Sequence, residues 1–281
     1  MSETWPQDAD AVVRWIRSEL TTDAEFSGLD DIRISADIGG DDLSLLTMDA
    51  TGAHLTTLPS ASSKPSTPEA EVRSRRAGIA REIRVIAAPV HIAEVPLTID
   101  AEVRDAPIDW VEYERSADAA LADDRNGIRL RDGGRGMSGS LTFSMRTADV
   151  EPLIERVMRT ALETGDARVR RLRVGIHQDG ADGARIIGSA AVRYKLLFAS
   201  VRGEACVRVT RDGVLTIEDL RASSRNPLVA LALRVARRSI RDQIGRRIDL
   251  NEEFGLAASG PRLHDVRVRI DRDLHVEARL G

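Results

Sequence analysis

Six arginines lie close together in the last quarter of the sequence, and they form the charged group with the clearest chemical use. Asp242 is the only acidic residue among them. A helix with a basic face can lie on an anionic membrane surface or bind phosphate head groups. A solvated basic face is the plainer alternative, because such faces are common and because nearly all basic residues of this chain are arginine. The six are Arg234, Arg237, Arg238, Arg241, Arg246 and Arg247.

Histidine and cysteine, which often bind metals or act as nucleophiles, show no such pattern. The five histidines do not share the short spacing of a metal site. Cys206 is the only cysteine and lies in no CxxC motif, so we interpret it as structural. We therefore predict no metal ion, no cofactor and no catalytic residue. An enzyme acting on a lipid ester is a weaker alternative, which needs a nucleophile and a base that meet in space.

The composition favours a folded protein that stays inside the cell. Hydrophobic residues make up 42% and charged residues 31% of the 281 residues, which is enough apolar surface for a sizeable core. The net charge of -4 and the missing recognition motifs argue against a nucleic-acid partner. The start of the chain is polar and lacks a signal peptide, and no apolar run approaches about 18 residues. We predict a cytoplasmic location, with a peripheral position at the inner membrane leaflet as an alternative.

Apolar residues alternate with charged or hydroxyl residues along most predicted strands. Residues 32–38, 95–103, 141–145 and 172–176 are clear examples. Alternation with a period of two places one face of each strand in water, which is typical of antiparallel sheets. We therefore expect antiparallel sheets with one apolar face.

Three amphipathic helices are predicted between the strands. The first begins after Asp8 as its N-cap, the second covers about 150–162, and the third begins at Asn226 with Pro227 in its first turn. Their apolar stripes must cover a surface. The economical solution is an α+β fold in which a strongly curved antiparallel sheet wraps around one or two long helices.

The domain organisation is predicted from element order and composition. We expect a single unit over residues 1–281. Each half offers a helix followed by alternating strands, so two pseudo-repeats, 1–146 and 147–281, are an alternative. A segment rich in proline, serine and charged residues predicts a flexible surface loop over 59–76.

The last third of the sequence resembles a known family. The similarity rests on Val209–Ile217, Ile248–Leu250, Pro261–Val268 and Leu274–Ala278, and it extends to Gly139–Ile176. These segments resemble an actinobacterial family of small secreted or membrane-anchored proteins with a tubular lipid-binding (TULIP-like) fold. The resemblance implies a curved sheet around a long helix, and binding of a phospholipid or glycolipid in envelope lipid biology. It supplies no catalytic residue, and this sequence lacks the export signal that such relatives usually carry.

The predicted function is lipid binding or lipid transfer, with an acyl chain in an apolar groove bounded by the second and third helices and the sheet. A filled core without a cavity is the alternative for the same residues. The residues predicted to line the groove are Leu153, Ile154, Val157, Ala161, Val229, Leu233, Ala236, Ile240 and Ile244. The arginines predicted to meet a head group or an anionic membrane are Arg234, Arg237, Arg238 and Arg241. A non-enzymatic scaffold, which docks a protein partner through the sheet edge or the third helix, is the alternative function.

Overall fold

A computed structural model gives a mostly β fold, with 62% of the residues in strands and 19% in helices. It describes residues 5–23, 28–55, 71–114, 126–162, 167–194, 197–226, 229–231, 234, 237–253, 256 and 260–281. The chain divides into two compact units. Unit 1 comprises Met1–Leu141, Leu256–Arg262 and Arg279–Gly281, and unit 2 comprises Thr142–Gly255 and Leu263–Ala278.

Unit 1 contains a sheet dominated by two very long strands. Its strands are β1 (Arg33–Gly39), β2 (Asp42–Asp49), β3 (His54–Leu55), β4 (Val72–Ile92), β5 (Val95–Tyr113), β6 (Asn126–Leu130) and the start of β7 (Ser138–Arg146). Their order is β1-β2-β4-β5-β7, with β3 beside β4 and β6 beside β5. β4 and β5 have 21 and 19 residues and pair antiparallel along most of their length. Short 3-10 helices cover Leu29–Asp31 and Arg131–Gly134.

Two strand pairs of unit 1 are parallel. β4 pairs parallel with β2 and with β3. Our expectation of antiparallel pairing is wrong at these pairs, since alternation reports which side chains share a face and not the direction of the neighbouring strand. A parallel pair needs a long connection, and the residues between β2 and β4 supply one.

The first helix, α1 (Ala9–Asp23), closes one side of the unit 1 core. The Ala11 N–H donates to Asp8 Oδ1 at 2.7 Å, so the predicted N-cap is confirmed. Val12 and Ile16, one turn apart on the apolar stripe, are buried. They belong to a cluster that includes Leu43 of β2.

All three tryptophans of the chain meet in unit 1. The Trp5 ring makes edge-to-face contacts with the rings of Trp15 and Trp110, at centroid distances of 6.3 and 6.1 Å. The Trp5 indole N–H donates to the carbonyl oxygen of Gly127 at 3.0 Å. Burying aromatic rings in this way stabilises the core through apolar area and through ring geometry.

Unit 2 contains a five-stranded antiparallel sheet with the order β12-β11-β10-β9-β8. These strands are β8 (Ala167–Gln178), β9 (Gly183–Tyr194), β10 (Leu197–Val209), β11 (Val214–Ser224) and β12 (Arg247–Asp249). The other elements are the end of β7, β13 (Leu263–Ile270), most of β14 (Asp273–Leu280), and the helices α2 (Thr147–Leu162), α3 (Arg237–Asp242) and α4 (Leu250–Glu253). β7 is followed by β14 and β13 in hydrogen-bonding order.

The predicted α+β fold, a strongly curved TULIP-like sheet wrapped around one or two long helices, is wrong. In the described residues the longest helices, α1 and α2, have 15 and 16 residues, and the strands form two sheets. The prediction failed because it assigned the helical stripes to one common sheet. α1 instead packs on β1 in unit 1 and α2 packs on β8 in unit 2.

The predicted loop over 59–76 lies mostly outside the described residues, and its last part, from Val72, belongs to β4. The duplication of 1–146 as 147–281 stays a prediction. No helix in the part of the chain that the structure describes is both long and apolar enough to cross a membrane.

Candidate functional site

The strand register of unit 2 places an apolar surface on one face of its five-stranded sheet. Three rows of paired residues cross β8, β9, β10 and β11 on this face. The rows are Leu172, Ala190, Val201 and Ser224; Val174, Gly188, Gly203 and Ala222; and Ile176, Ile186, Ala205 and Leu220. Leu172 is buried, Ala222 is exposed and the other ten are half-buried. This face is therefore covered less completely than the core of unit 1, where Val12 and Val111 are fully buried.

The outer edge of β11 is open beyond its first residues. β12 pairs with β11 only at Val214–Thr216, and Ile217 then exchanges backbone hydrogen bonds with Gly245 and Arg246. From Glu218 to Ser224, no described strand pairs with this edge. The reason is length, since β12 has 3 residues and β11 has 11.

The chain turns into a helix directly after β11. The Val229 N–H donates to Asn226 Oδ1 at 3.4 Å, and the Ala230 N–H donates to the Asn226 carbonyl oxygen at 2.8 Å. Asn226 is therefore the N-cap that the sequence predicted. Residues 229–231, 234 and 237–242 are helical.

A groove of about 550 Å³ lies between the open edge of β11 and these helical residues. Its volume falls in the range of about 300–1,000 Å³ that is usual for small-molecule sites. The lining residues are Asp219, Leu220, Arg221, Ala222, Ser223, Ser224, Ala230, Arg234, Arg241 and Ile244. Because Leu220 and Ala222 also belong to the apolar rows, the groove continues the apolar face of the sheet.

The charge of the groove is positive. Arg221 is paired with Asp219 at 2.7 Å, whereas the guanidinium groups of Arg234 and Arg241 have no hydrogen bond or ion pair with any described residue. Arg238, on the same helix as Arg241, is also exposed. Two unpaired guanidinium groups next to apolar side chains can hold an anion whose remaining part is apolar.

Two large apolar side chains of the segment after β11 are exposed, and one of them, Ile244, lines the groove. Leu231 is 56% exposed and Ile244 is 39% exposed. Only Leu130 and Ile187 join them as exposed large apolar side chains in the described part of the chain. Exposed apolar side chains in a segment that also carries several arginines are typical of a surface that contacts a lipid interface.

The predicted groove residues are only partly brought together. Ile244, Arg234 and Arg241 line the groove, whereas Leu153 and Ile154 are half-buried on α2. α2 packs on β8 and α3 packs on β11, so the described residues of α2 do not line this groove. Val229 is half-buried and does not line it either. Leu233 and Ala236 lie outside the described residues, as do the side chains of Val157, Ala161, Arg237 and Ile240.

Sequence reasoning missed the strand wall of the groove, which Leu220, Ala222 and Ser223 supply. The alternation of Leu215 and Ile217 identified a strand, but not an open edge. The available signal was the unequal length of the two apolar runs that became β11 and β12.

The cysteine and the histidines of the described residues do not form a recognisable catalytic or metal-binding group. Cys206 lies on the charged face of the five-stranded sheet, opposite Arg185 of β9. Burial raises the pKa of the Cys206 thiol, so little thiolate is present at neutral pH. The rings of His54 and His91 stack at 4.3 Å in unit 1, and no three metal-binding side chains are grouped anywhere among the described residues.

Comparison with known proteins gives no support for the family resemblance. No family model matches the sequence, no curated protein is significantly similar to it, and no solved structure significantly resembles the fold.

Proposed function

We propose that this protein binds anionic lipid at a membrane surface through the groove beside β11. The observation that supports this proposal is that exposed Ile244 shares the groove with Arg234 and Arg241, whose guanidinium groups have no partner among the described residues. Leu231, in the same helical segment, is also exposed. The arginines meet phosphate groups of the lipid, and the apolar side chains enter the acyl region. An acyl chain that leaves the bilayer would follow the apolar rows of the sheet from Leu220 inwards.

The expected free energy of membrane binding is estimated by adding the contributions of the side chains. A basic side chain near an anionic surface contributes about 1 kcal/mol, and apolar area contributes about 25 cal/mol for each Å² buried. Several arginines and two aliphatic side chains together give reversible binding and not a permanent anchor. Binding should weaken as salt screens the arginines.

Replacing both groove arginines should weaken vesicle binding strongly. The double variant Arg234→Gln and Arg241→Gln loses about 2 kcal/mol of attraction, so its affinity for anionic vesicles should fall about 30-fold. The measurement is co-sedimentation with phosphatidylcholine vesicles that contain about 30% phosphatidylglycerol, a composition that gives a negative surface potential. The double variant Leu231→Ser and Ile244→Ser should also lose binding, and this loss should persist at low salt.

The matched control removes two exposed arginines of β4 in unit 1, Arg75→Gln and Arg84→Gln, which leaves the net charge equal to that of the groove variant. The control should bind vesicles like the unmodified protein. Equal losses of vesicle binding in both variants would show that binding depends on net charge and not on the groove. Binding to pure phosphatidylcholine as strong as to the anionic vesicles would overturn the proposed head-group contact.

The open edge of β11 favours a second candidate function, the docking of a protein partner by strand addition. A strand edge beside a helix can accept an extended peptide, which adds backbone hydrogen bonds to the sheet. Arg234 and Arg241 favour acidic side chains in such a peptide. This candidate shares the groove with the lipid, so the two compete.

A synthetic peptide of alternating valine and glutamate tests the second candidate. If the peptide adds to the sheet, amide hydrogen exchange at the outward-facing amides of residues 218–224 should slow about 10-fold or more, because hydrogen-bonded amides are protected. The readout is exchange followed by mass spectrometry, with a peptide of alternating valine and lysine as the control. Unchanged exchange at saturating peptide would leave lipid binding as the function of the groove.

A further inference from the structure

The face of the five-stranded sheet opposite the apolar rows carries a second cluster of arginines. Successive residues of a strand point to opposite faces, so the residues between the apolar rows share this other face. One register row on it joins Arg173 of β8, Ser189 of β9 and Arg202 of β10. Neighbouring strands are about 4.8 Å apart, which places the serine midway between two arginines.

A depression of about 510 Å³ lies over this row. Gly175 contributes no side chain to it, and the His177 Nε2 atom lies 3.2 Å from the position that a Cβ of residue 175 would occupy. A larger residue at 175 would therefore displace the imidazole. The row and these two residues all line the same depression.

The acidic residues of the depression already have partners. Glu204 pairs with Arg185 at 3.6 Å, and Glu151 Oε2 accepts the backbone N–H of Val174 at 2.9 Å. Arg173 and Arg202 are exposed, and neither guanidinium group has a hydrogen bond or ion pair within the described chain. Arg173 and Arg202 are therefore the charged groups of the depression whose hydrogen-bonding capacity is unused among the described residues.

We propose that this depression binds a phosphate group through Arg173, Arg202 and the Ser189 hydroxyl. Each guanidinium presents a planar fork of N–H donors that matches two phosphate oxygens, and an arginine is long enough to lean towards the neighbouring strand. The Ser189 hydroxyl between them can donate a third hydrogen bond. The phosphate can belong to a soluble phosphomonoester or to a lipid head group, and the experiment separates the two.

The test is isothermal titration of the full chain with inorganic phosphate, with glycerol 3-phosphate and, as a comparison, with sodium chloride. Phosphate and glycerol 3-phosphate should bind, and each arginine replaced should lower the affinity about 10-fold or more, since hydrogen bonds between charged groups are the strong ones. The variants are Arg173→Gln and Arg202→Gln, with the double variant Arg75→Gln and Arg84→Gln as control. Equal loss in the control, or no binding of either phosphate compound, would overturn the proposal.

Two further arms keep the result decisive. Ser189→Asp places a negative charge at the centre of the row and should abolish phosphate binding in a chain that keeps both arginines. Co-sedimentation of Arg173→Gln with anionic vesicles should be unchanged if the ligand is a soluble phosphate compound, and reduced if it is a head group. Full phosphate binding by a folded Ser189→Asp variant would place the ligand elsewhere. Because the groove variants Arg234→Gln and Arg241→Gln keep this depression intact, loss of the lipid function would leave phosphate binding unchanged.

Discussion

Replacing Trp110 with alanine should lower the free energy of unfolding by about 4 kcal/mol. The Trp110 side chain is 1% exposed and is among the largest fully buried side chains described in the chain. Its indole N–H donates to the carbonyl oxygen of Asp41 at 2.8 Å. The alanine variant would leave a large cavity, lose the ring contact with Trp5, and leave the Asp41 carbonyl without this donor.

The measurement is urea unfolding followed by far-UV circular dichroism, because tryptophan fluorescence itself changes in this variant. Trp110→Phe keeps most of the ring volume and loses the N–H donor, so a smaller loss of about 1–2 kcal/mol is expected. Ile187→Ala, at a side chain that is 41% exposed, should change the free energy by less than about 0.5 kcal/mol. A Trp110→Ala variant as stable as Ile187→Ala would contradict the described core.

The close fit around Trp110 also explains a glycine in β4. A Cβ atom on Gly78 would lie 2.2 Å from the Asp41 carbonyl oxygen and 2.8 Å from Trp110 Nε1. No side chain fits there without moving backbone atoms. The indole and the backbone of Asp41 therefore require glycine at position 78.

Patterns within a short stretch of sequence predicted those helices and strands that neighbouring residues determine. Asp8 and Asn226 are N-caps because a short acceptor side chain precedes an apolar stripe, and both caps form as predicted. Alternation along 95–103 identified part of β5, because successive side chains of a strand point to opposite faces. The extent of β5 was not predicted, since its second half lacks simple alternation and is held by β4 and β6.

Contacts between distant residues could not be predicted. Trp5, Trp15 and Trp110 meet only because α1 and β5 share a core, and no spacing in the sequence records this. The α+β prediction failed at the same level, because apolar stripes reveal that a helix must be covered but not by which sheet. Two separate sheets can cover the apolar stripes of the helices as well as one common sheet can.

In the candidate site, too, the sequence pattern predicted some residues, whereas others depend on strand pairing. The charge and apolar pattern identified Arg234, Arg241 and Ile244, which line the groove beside β11, whereas the predicted groove lay between the second and third helices. The strand wall with Leu220 depends on β12 ending after Asp249, which is a property of the pairing. The phosphate-binding row depends on the register of β8, β9 and β10, and a shift of one residue would move Arg173 to the other face.

The β11–β12 region that borders the groove depends on one buried polar side chain, Asn251. It is 3% exposed and the one polar residue buried among those described. Its amide nitrogen donates to the Asp212 carbonyl oxygen at 3.1 Å and to Asp249 Oδ1 at 2.8 Å. Its Oδ1 accepts the N–H of Leu263 at 2.6 Å. The side chain thus joins the turn before β11, the end of β12 and the start of β13.

Exchanging Asn251 for leucine should therefore cost about 3 kcal/mol of unfolding free energy, since each buried group left unpaired costs about 1–3 kcal/mol. The groups left without this partner are the Leu263 N–H and the Asp212 carbonyl oxygen, whereas Asp249 Oδ1 still accepts the backbone N–H of residue 251 at 2.9 Å. The measurement combines urea unfolding with hydrogen exchange at the Leu263 amide, which should lose protection in the variant. Asn226→Ala, which removes a helix cap, should cost about 1 kcal/mol and leave the Leu263 amide protected. Unfolding free energies that do not separate these two variants, together with a protected Leu263 amide in Asn251→Leu, would show that another group satisfies that amide.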